Sequence, residues 1–319
     1  MRHATLRQMK VFEAIARHLS FTRAAEELYL TQPTVSMQIK QLADTVGMPL
    51  FEQVGKRIHL TEAGQELYAA CREVFDCLER FEMNIANRKG LKTGRLRLAV
   101  TTSAKYLTPR ALGAFCKLYP NIDIALKVTN QDRVLERMVE NLDDLYIFGQ
   151  PPEHLDVVAQ PFMENPLVVI AARDHPLVGR KRVSLQRIAE EPFIMREPGS
   201  GTRTSTLRLF DKHRITLKER MELGSNEAVK QAVAAGLGIA VLSRHSLILE
   251  GDRGALAVLD VQGFPIIRNW YVVYPAGKQL SVVAQAFLDF LRDEAVRITP
   301  DFCGVPPAHV RRAKKKSAR

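Results

Sequence analysis

The chain has 319 residues, 46 Lys plus Arg against 35 Asp plus Glu, a formal charge of +11 and 46% apolar side chains. At roughly 100–200 residues per domain, that length gives two or three domains with proper cores. A disordered or collagen-like chain and a small disulfide-stapled scaffold are excluded. No stretch approaches the roughly 18 apolar residues of a membrane span. Met1–Lys10 is polar and basic, without the apolar segment of a secretion signal, so the chain is expected in the cytoplasm with no membrane partner. A basic total suggests a polyanionic partner, but residues 311–319 alone carry six basic side chains and no acid. Residues 1–95 carry a net +3 and the other 215 only +2, so charge by itself does not identify a DNA-binding protein. Cys71, Cys77, Cys116 and Cys303 form no CxxC pair, and the eight histidines show no ligand spacing, so no metal site is expected.

In chain order, residues 5–18 read as a helix with an apolar stripe of Leu6, Met9, Phe12 and Ile15. Ser20 offers an N-cap for a short helix over Phe21–Leu28, and Thr31 caps a third that runs to Val46 and is stopped by Gly47. Pro33 sits in its first turn, where a missing N–H costs nothing. Val35, Ile39, Leu42 and Val46 give it a core face. The opposite face carries Gln32, Thr34, Ser36, Gln38, Lys40 and Gln41, and amides and hydroxyls are the groups that read base edges in a major groove. Gly55-Lys56-Arg57 followed by Ile58-His59-Leu60 reads as a hairpin with a basic tip. From Thr61 a long helix places Gly64, Leu67, Cys71, Val74, Leu78, Phe81 and Ile85 at alternating spacings of three and four. That is a 3.5-residue repeat asking for a partner helix. Two reading heads on a two-fold axis would suit a palindromic site.

From residue 95 strands alternate with helices: 95–100, 122–128, 145–148, 167–172, 238–242 and 267–274, with helices between them. Repeated βα units argue for an α/β domain in two halves whose cleft is the natural ligand site.

The runs Ser20-Phe21-Thr22-Arg23-Ala24-Ala25-Glu26-Glu27-Leu28, Thr31-Gln32-Pro33-Thr34-Val35-Ser36, Leu50-Phe51 and Leu60-Thr61-Glu62-Ala63-Gly64 resemble the N-terminus of LysR-type transcriptional regulators. A narrower run, Val128-Thr129-Asn130 through Gly149-Gln150-Pro151-Pro152, is similar to the branch that controls Rubisco and Calvin-cycle operons. The resemblance implies an α+β multidomain protein. It would comprise a winged helix-turn-helix (1–61), a dimerising linker helix (62–93) and an α/β effector domain (94–300); beyond it the run of basic residues reads as a disordered tail (301–319). The effector domain would have two periplasmic-binding-protein-like subdomains, 94–165 with 268–300, and 166–267. The implied DNA-contacting set is Ser20, Thr22, Thr31, Gln32, Pro33, Thr34, Ser36, Gln38, Lys40, Lys56 and Arg57. Gln53 stands where the family commonly has Arg, and Met37 where some members have a basic residue. The dimer seam is Leu67, Cys71, Val74, Leu78, Phe81 and Ile85. Implied partners are double-stranded operator DNA, a second copy in a homodimer or a dimer-of-dimers tetramer, and RNA polymerase.

Three hydroxyl- or glycine-rich turns, Thr101-Thr102-Ser103, Gly199-Ser200-Gly201-Thr202-Arg203 and Ser225-Asn226, adjoin strands and open helices, with Arg196 close by. Free N–H groups and a positive dipole end suit such turns to a carboxylate or phosphate. With Thr129 and Asn130, they form the candidate site for a small anionic effector. In the Calvin-cycle branch the implied effector is a phosphorylated sugar or acid, or NADPH, bound reversibly rather than as a resident cofactor. No nucleophile–base constellation points to an enzyme. The same lack speaks against a solute-binding or catalytic α/β domain with a helical cap, and a scaffold that uses the linker helix only to oligomerise would leave Gln32–Ser36 unexplained.

Overall fold

The computed structural model describes residues 4–55, 57–88, 93–248 and 254–298. They fall into two compact units, residues 1–89 and 90–319. The first unit is built from α1 (Leu6–His18), α2 (Phe21–Glu27), α3 (Gln32–Val46), β1 (Phe51–Val54), β2 (Arg57–Leu60) and α4 (Glu62–Arg88). Thr5 and Gln8 close α1 with a reciprocal capping box, and Gly47, at φ 83°, ends α3 in the left-handed conformation that glycine tolerates. Phe12, Ile15, Ala24, Val35, Leu42 and Leu50 form the core these helices share. β1 and β2 pair antiparallel from Phe51↔Leu60 to Val54↔Arg57, making the expected wing.

The long helix corrects one expectation. Leu67 and Cys71, assigned to the dimer seam, are buried in the head's own core, against the same cluster as Phe12 and Leu42. Gly64 lies so close to the Leu50 carbonyl that a Cβ would collide with it. The first turns of α4 therefore belong to the head. A 3.5-residue repeat records only that one stripe is apolar, whatever covers it. Beyond Cys71 the stripe is uncovered: Val74, Leu78, Phe81 and Ile85 are exposed, Phe81 by 63%.

Among the described residues the second unit holds a five-stranded sheet, a three-stranded sheet and a two-stranded pair. β3 (Thr93–Thr101), β4 (Asn121–Thr129), β5 (Leu145–Phe148), β6 (Val157–Glu164) and a late strand, β12 (Asn269–Pro275), form the first in the order β4-β3-β5-β12-β6. β3 runs parallel to β4 and β5, whereas β12 is antiparallel to both its neighbours. Helices α5 (Thr108–Leu118), α6 (Gln131–Val139) and α10 (Val282–Ile298) cover it. Val134 and Met138 of α6 pack on Ala99, Tyr146 and Phe148, and Phe115 of α5 meets Phe287 of α10 edge-on at 5.1 Å.

The other half comprises β7 (Leu167–Ala172), α7 (Leu185–Ala189), β8 (Phe193–Arg196), α8 (Gly201–Lys212), β9 (Glu219–Leu223), α9 (Asn226–Ala234), β10 (Ala240–Ser243) and β11 (Leu256–Val258). β7 is fully buried between β10 and β11, both antiparallel to it, and a bridge from Phe193 to Ile239 adds the parallel pair β8–β9. The chain crosses between the halves at Asn165–Leu167 and returns at Ile266–Arg268. These crossings pair with one another: Asn165 N–H donates to the Arg268 carbonyl at 2.6 Å, and Leu167 and Ile266 exchange bonds of 2.9 and 3.0 Å. The sheets are mixed rather than purely parallel, because each half is completed by chain returning antiparallel after the crossover.

Candidate functional site

On the first unit, α3 presents its polar face as its sequence demands. Thr31 caps the helix, accepting from the Thr34 N–H at 3.4 Å, and Pro33 occupies the first turn. Gln32 is exposed and its Nε2 donates to Ser36 Oγ at 3.1 Å, so the two side chains at the helix start are held as a pair. Thr34, bonded to the Thr31 hydroxyl at 2.8 Å, and exposed Lys40 continue that face. Ser20 is the α2 cap, accepting from Arg23 N–H at 3.3 Å, and Thr22 is exposed in the following turn. Gln38 departs from expectation: its Oε1 is buried without a partner, so this amide is turned partly inward. Arg57 is exposed beside the wing tip; Lys56 lies outside the described residues. The wing carries Gln53 bonded to the Gly55 carbonyl at 2.9 Å.

Tyr29 is a feature that sequence patterning misses. It stands between α2 and α3 at φ 54°, a left-handed conformation uncommon for a bulky residue, with 96% of its surface exposed. A tyrosine there offers a phenolic donor to a phosphate. It belongs to no apolar period and carries no charge, so nothing in the spacing singles it out.

In the second unit, six of the expected effector residues come together. Thr101, Thr102, Ser103, Ser200, Gly201 and Thr202 line one cavity with Gln131, Gly149 and Arg268, and its volume is only about 10 Å³. That is room for about one water molecule. The halves are drawn together here. Gly199, at φ 79°, lies against the Asp132 carboxylate and Gly201 against the Gln131 side chain, so a Cβ at either position would collide.

The basic residues of the cleft are rearranged relative to expectation. Arg196 is buried and occupied: Nε and Nη2 bond Glu197 at 2.6 and 2.7 Å, Nη1 bonds Asn226 Oδ1, and Nη2 reaches Thr102 Oγ1 at 3.1 Å. Its role is to fasten Thr102 to Asn226. Arg203 does not line the cavity. It holds the Arg196 carbonyl at 2.8 Å and pairs with Glu219 at 3.1 Å and Glu222 at 3.4 Å, because α8 turns that face toward β9. Asn130 and Ser225 cap α6 and α9 by accepting from Arg133 and Ala228 N–H groups at 3.0 and 3.4 Å, and Thr129 ends β4 away from the cavity lining.

The cation that does border the cavity is Arg268, which sequence reasoning missed. Its Nη1 donates to the Gly201 carbonyl at 3.1 Å and to Ser205 Oγ at 3.3 Å, and its Nη2 to Thr202 Oγ1 at 3.5 Å. The Asn165 amide, turned to satisfy its neighbours, accepts from Arg268 Nε at 3.1 Å and donates to Ser243 Oγ at 2.7 Å. Every acceptor is neutral. Burial lowers its pKa to about 10, and no carboxylate among the described residues pairs with it. A partly buried guanidinium facing only neutral dipoles is what an anionic ligand completes. Thr101 Oγ1, buried and without a partner, adds an unsatisfied group to the same lining. Among the described residues no cluster of His, Cys, Asp and Glu is suited to a metal, and no helix is long and apolar enough to cross a membrane.

A winged helix-turn-helix head with a long helix, together with a two-subdomain module closing on an anion-seeking cleft, defines a ligand-responsive DNA-binding regulator. The chain belongs to the LysR family: residues 6–65 match the bacterial regulatory helix-turn-helix protein, lysR family, and residues 89–296 the LysR substrate binding domain. It is a transcriptional regulator rather than an enzyme. It is 55% identical over 304 residues to the HTH-type transcriptional activator CmpR of Synechocystis sp., covering 95% of this chain and 100% of that one. The RuBisCO operon transcriptional regulator of Acidithiobacillus ferrooxidans is 53% identical over 291 residues, covering 91% of this chain and 94% of that one. Among solved structures, the regulatory domain of Synechocystis CcmR in complex with 2-PG is 54% identical, with a TM-score of 0.62 over 66% of this chain and 99% of that one.

Proposed function

We propose that this regulator controls genes of CO2 fixation and responds to a small anionic metabolite held in the cleft between its subdomains. The observation that carries the ligand class is Arg268, a partly buried cation bordered by Thr101, Thr102, Ser103 and Thr202 and meeting no acid among the described residues. The names of the CmpR and RuBisCO operon relatives support the gene class, and the CcmR complex makes 2-PG the first effector to try. Ligand entry requires the halves to part, and reclosure around it is the conformational signal.

The protein acts in the cytoplasm on double-stranded operator DNA, as a homodimer joined through the exposed stripe of α4 and as a pair of dimers on its promoter, where it meets RNA polymerase. Titration calorimetry with 2-PG on the full chain tests the ligand. Arg268→Gln is expected to weaken binding roughly 100-fold, about the worth of a charge-assisted pair, with operator affinity retained in the absence of 2-PG. Binding unchanged by Arg268→Gln would remove the cleft assignment.

A further inference from the structure

Arg268 borders a second and far larger cavity, of about 450 Å³. It is framed by the Gly149–Pro151 segment, the return crossing at Ile266–Asn269 and one face of α8. That face repeats at helical spacing: Ser205, Arg208 and Lys212 lie three and four residues apart. The lining includes no Asp or Glu. Arg203, elsewhere on the same helix, is paired with two glutamates. Arg208 and Lys212, by contrast, have no ion-pair or hydrogen-bond partner among the described residues. The wall between the charges is apolar and aromatic, with Tyr271 and Ile267, the latter 53% exposed.

Three cations converging on one cavity without an acid raise the local potential for an anion. The apolar wall requires that anion to carry a flat or apolar body. The volume lies within the roughly 300–1,000 Å³ of small-molecule sites, whereas the effector cleft is closed to about one water.

We propose that this cavity is a second ligand site, which takes an organic polyanion of nucleoside-phosphate size, with its charged end on Arg208 and Lys212 and its body against Tyr271. The site adjoins the effector cleft, sharing Gly149 and Arg268 with it, and stands whether or not 2-PG is the cleft's ligand.

The test is titration of the full chain with ATP as the probe, beside adenosine and inorganic phosphate. One ATP should bind per chain, more tightly than either fragment. Arg208→Gln with Lys212→Gln, both exposed, should weaken it roughly tenfold or more. Arg180→Gln with Lys181→Gln, an exposed pair elsewhere on the domain, should leave it unchanged. Several results overturn the proposal: no ATP binding, adenosine binding as well as ATP, or equal losses in both charge-neutralised pairs. If ATP fails to bind and the Arg208/Lys212 pair instead lowers operator affinity, this face meets DNA phosphate and the ligand site is refuted.

Discussion

Arg196 Nη2 donates to Thr102 Oγ1 at 3.1 Å, tying the end of β8 in one half of the effector module to the turn after β3 in the other. The charge does not depend on this bond, since Glu197 pairs with Nε and Nη2 and Asn226 accepts from Nη1. Removing the hydroxyl therefore loosens the closure without stranding a buried charge. Thr102→Val is expected to lower 2-PG affinity about tenfold, the worth of roughly 1.5 kcal/mol for one bond to a charged group. Operator affinity without ligand should be unchanged. Calorimetry and a gel shift on the same preparation separate the two effects.

Gln32 carries the sharpest expectation for the DNA-reading face. It stands in the first turn of α3 with its amide held by Ser36 at 3.1 Å, fully outside the core. A Gln positioned in this way can bond adenine through two atoms, worth about 1–3 kcal/mol of discrimination. Gln32→Ala should bring the affinity for operator DNA 10- to 100-fold closer to that for scrambled DNA, estimated from that range. The melting temperature and the sedimentation of the protein should not change. The wild-type log affinity should fall steeply with log salt through counterion release, and Gln32→Ala should keep that slope because it removes no phosphate contact.

What was legible in the sequence divides along physical lines. The head could be read closely, because caps such as Ser20 and Thr31 and the spacing of Val35, Ile39 and Leu42 are local signals. The strand-ending turns of the cleft were legible for the same reason: Thr101–Ser103 and Ser200–Thr202 do meet at one cavity. Charge partners were not legible. Arg203 looked free, but its glutamates, Glu219 and Glu222, come from a strand with little apolar pattern, and Arg196 is taken by its chain neighbour Glu197. Arg268 gave no signal at all. Its position at the return crossing is set by pairing with Asn165, about a hundred residues away in sequence.

The apolar stripe of α4 splits into two roles with opposite signatures. Leu67 is buried in the head, so Leu67→Ala should cost about 2–5 kcal/mol of stability, read as a lower melting temperature. Cys71 shares that environment, and burial with Glu13 nearby pushes its thiol up to about 12, so it should resist alkylation until the head unfolds. Phe81 is 63% exposed, and Phe81→Asp should leave the head folded while shifting the protein toward monomer in sedimentation. A Phe81→Asp protein that stays fully dimeric would show that association runs through another surface.

His245 gives the effector module a pH dependence of defined sign. It is buried beside the crossings, and its Nδ1 accepts from Trp270 Nε1–H at 3.3 Å. Burial, with Arg244 and Arg268 adding like charge, lowers its pKa from 6.5 to about 4. Below pH 6.5 the unfolded chain takes up a proton that the folded chain refuses. The stability is therefore complete above pH 6.5 and declines as pH falls toward 4, by on the order of 2 kcal/mol at pH 5. Glu27 in the head shifts in the other regime. Arg17 and then His18 hold its carboxyl at about 2, against an ordinary 4.5. Its contribution is present above 4.5 and lost only as pH drops toward 2, which keeps it out of the pH 5–7 window. Thermal melts at pH 7 and pH 5 should show the module losing stability across that window. His245→Gln, which keeps a polar side chain but cannot titrate, should flatten the dependence even though it lowers stability at pH 7. An unchanged slope in His245→Gln would mean that another group titrates there.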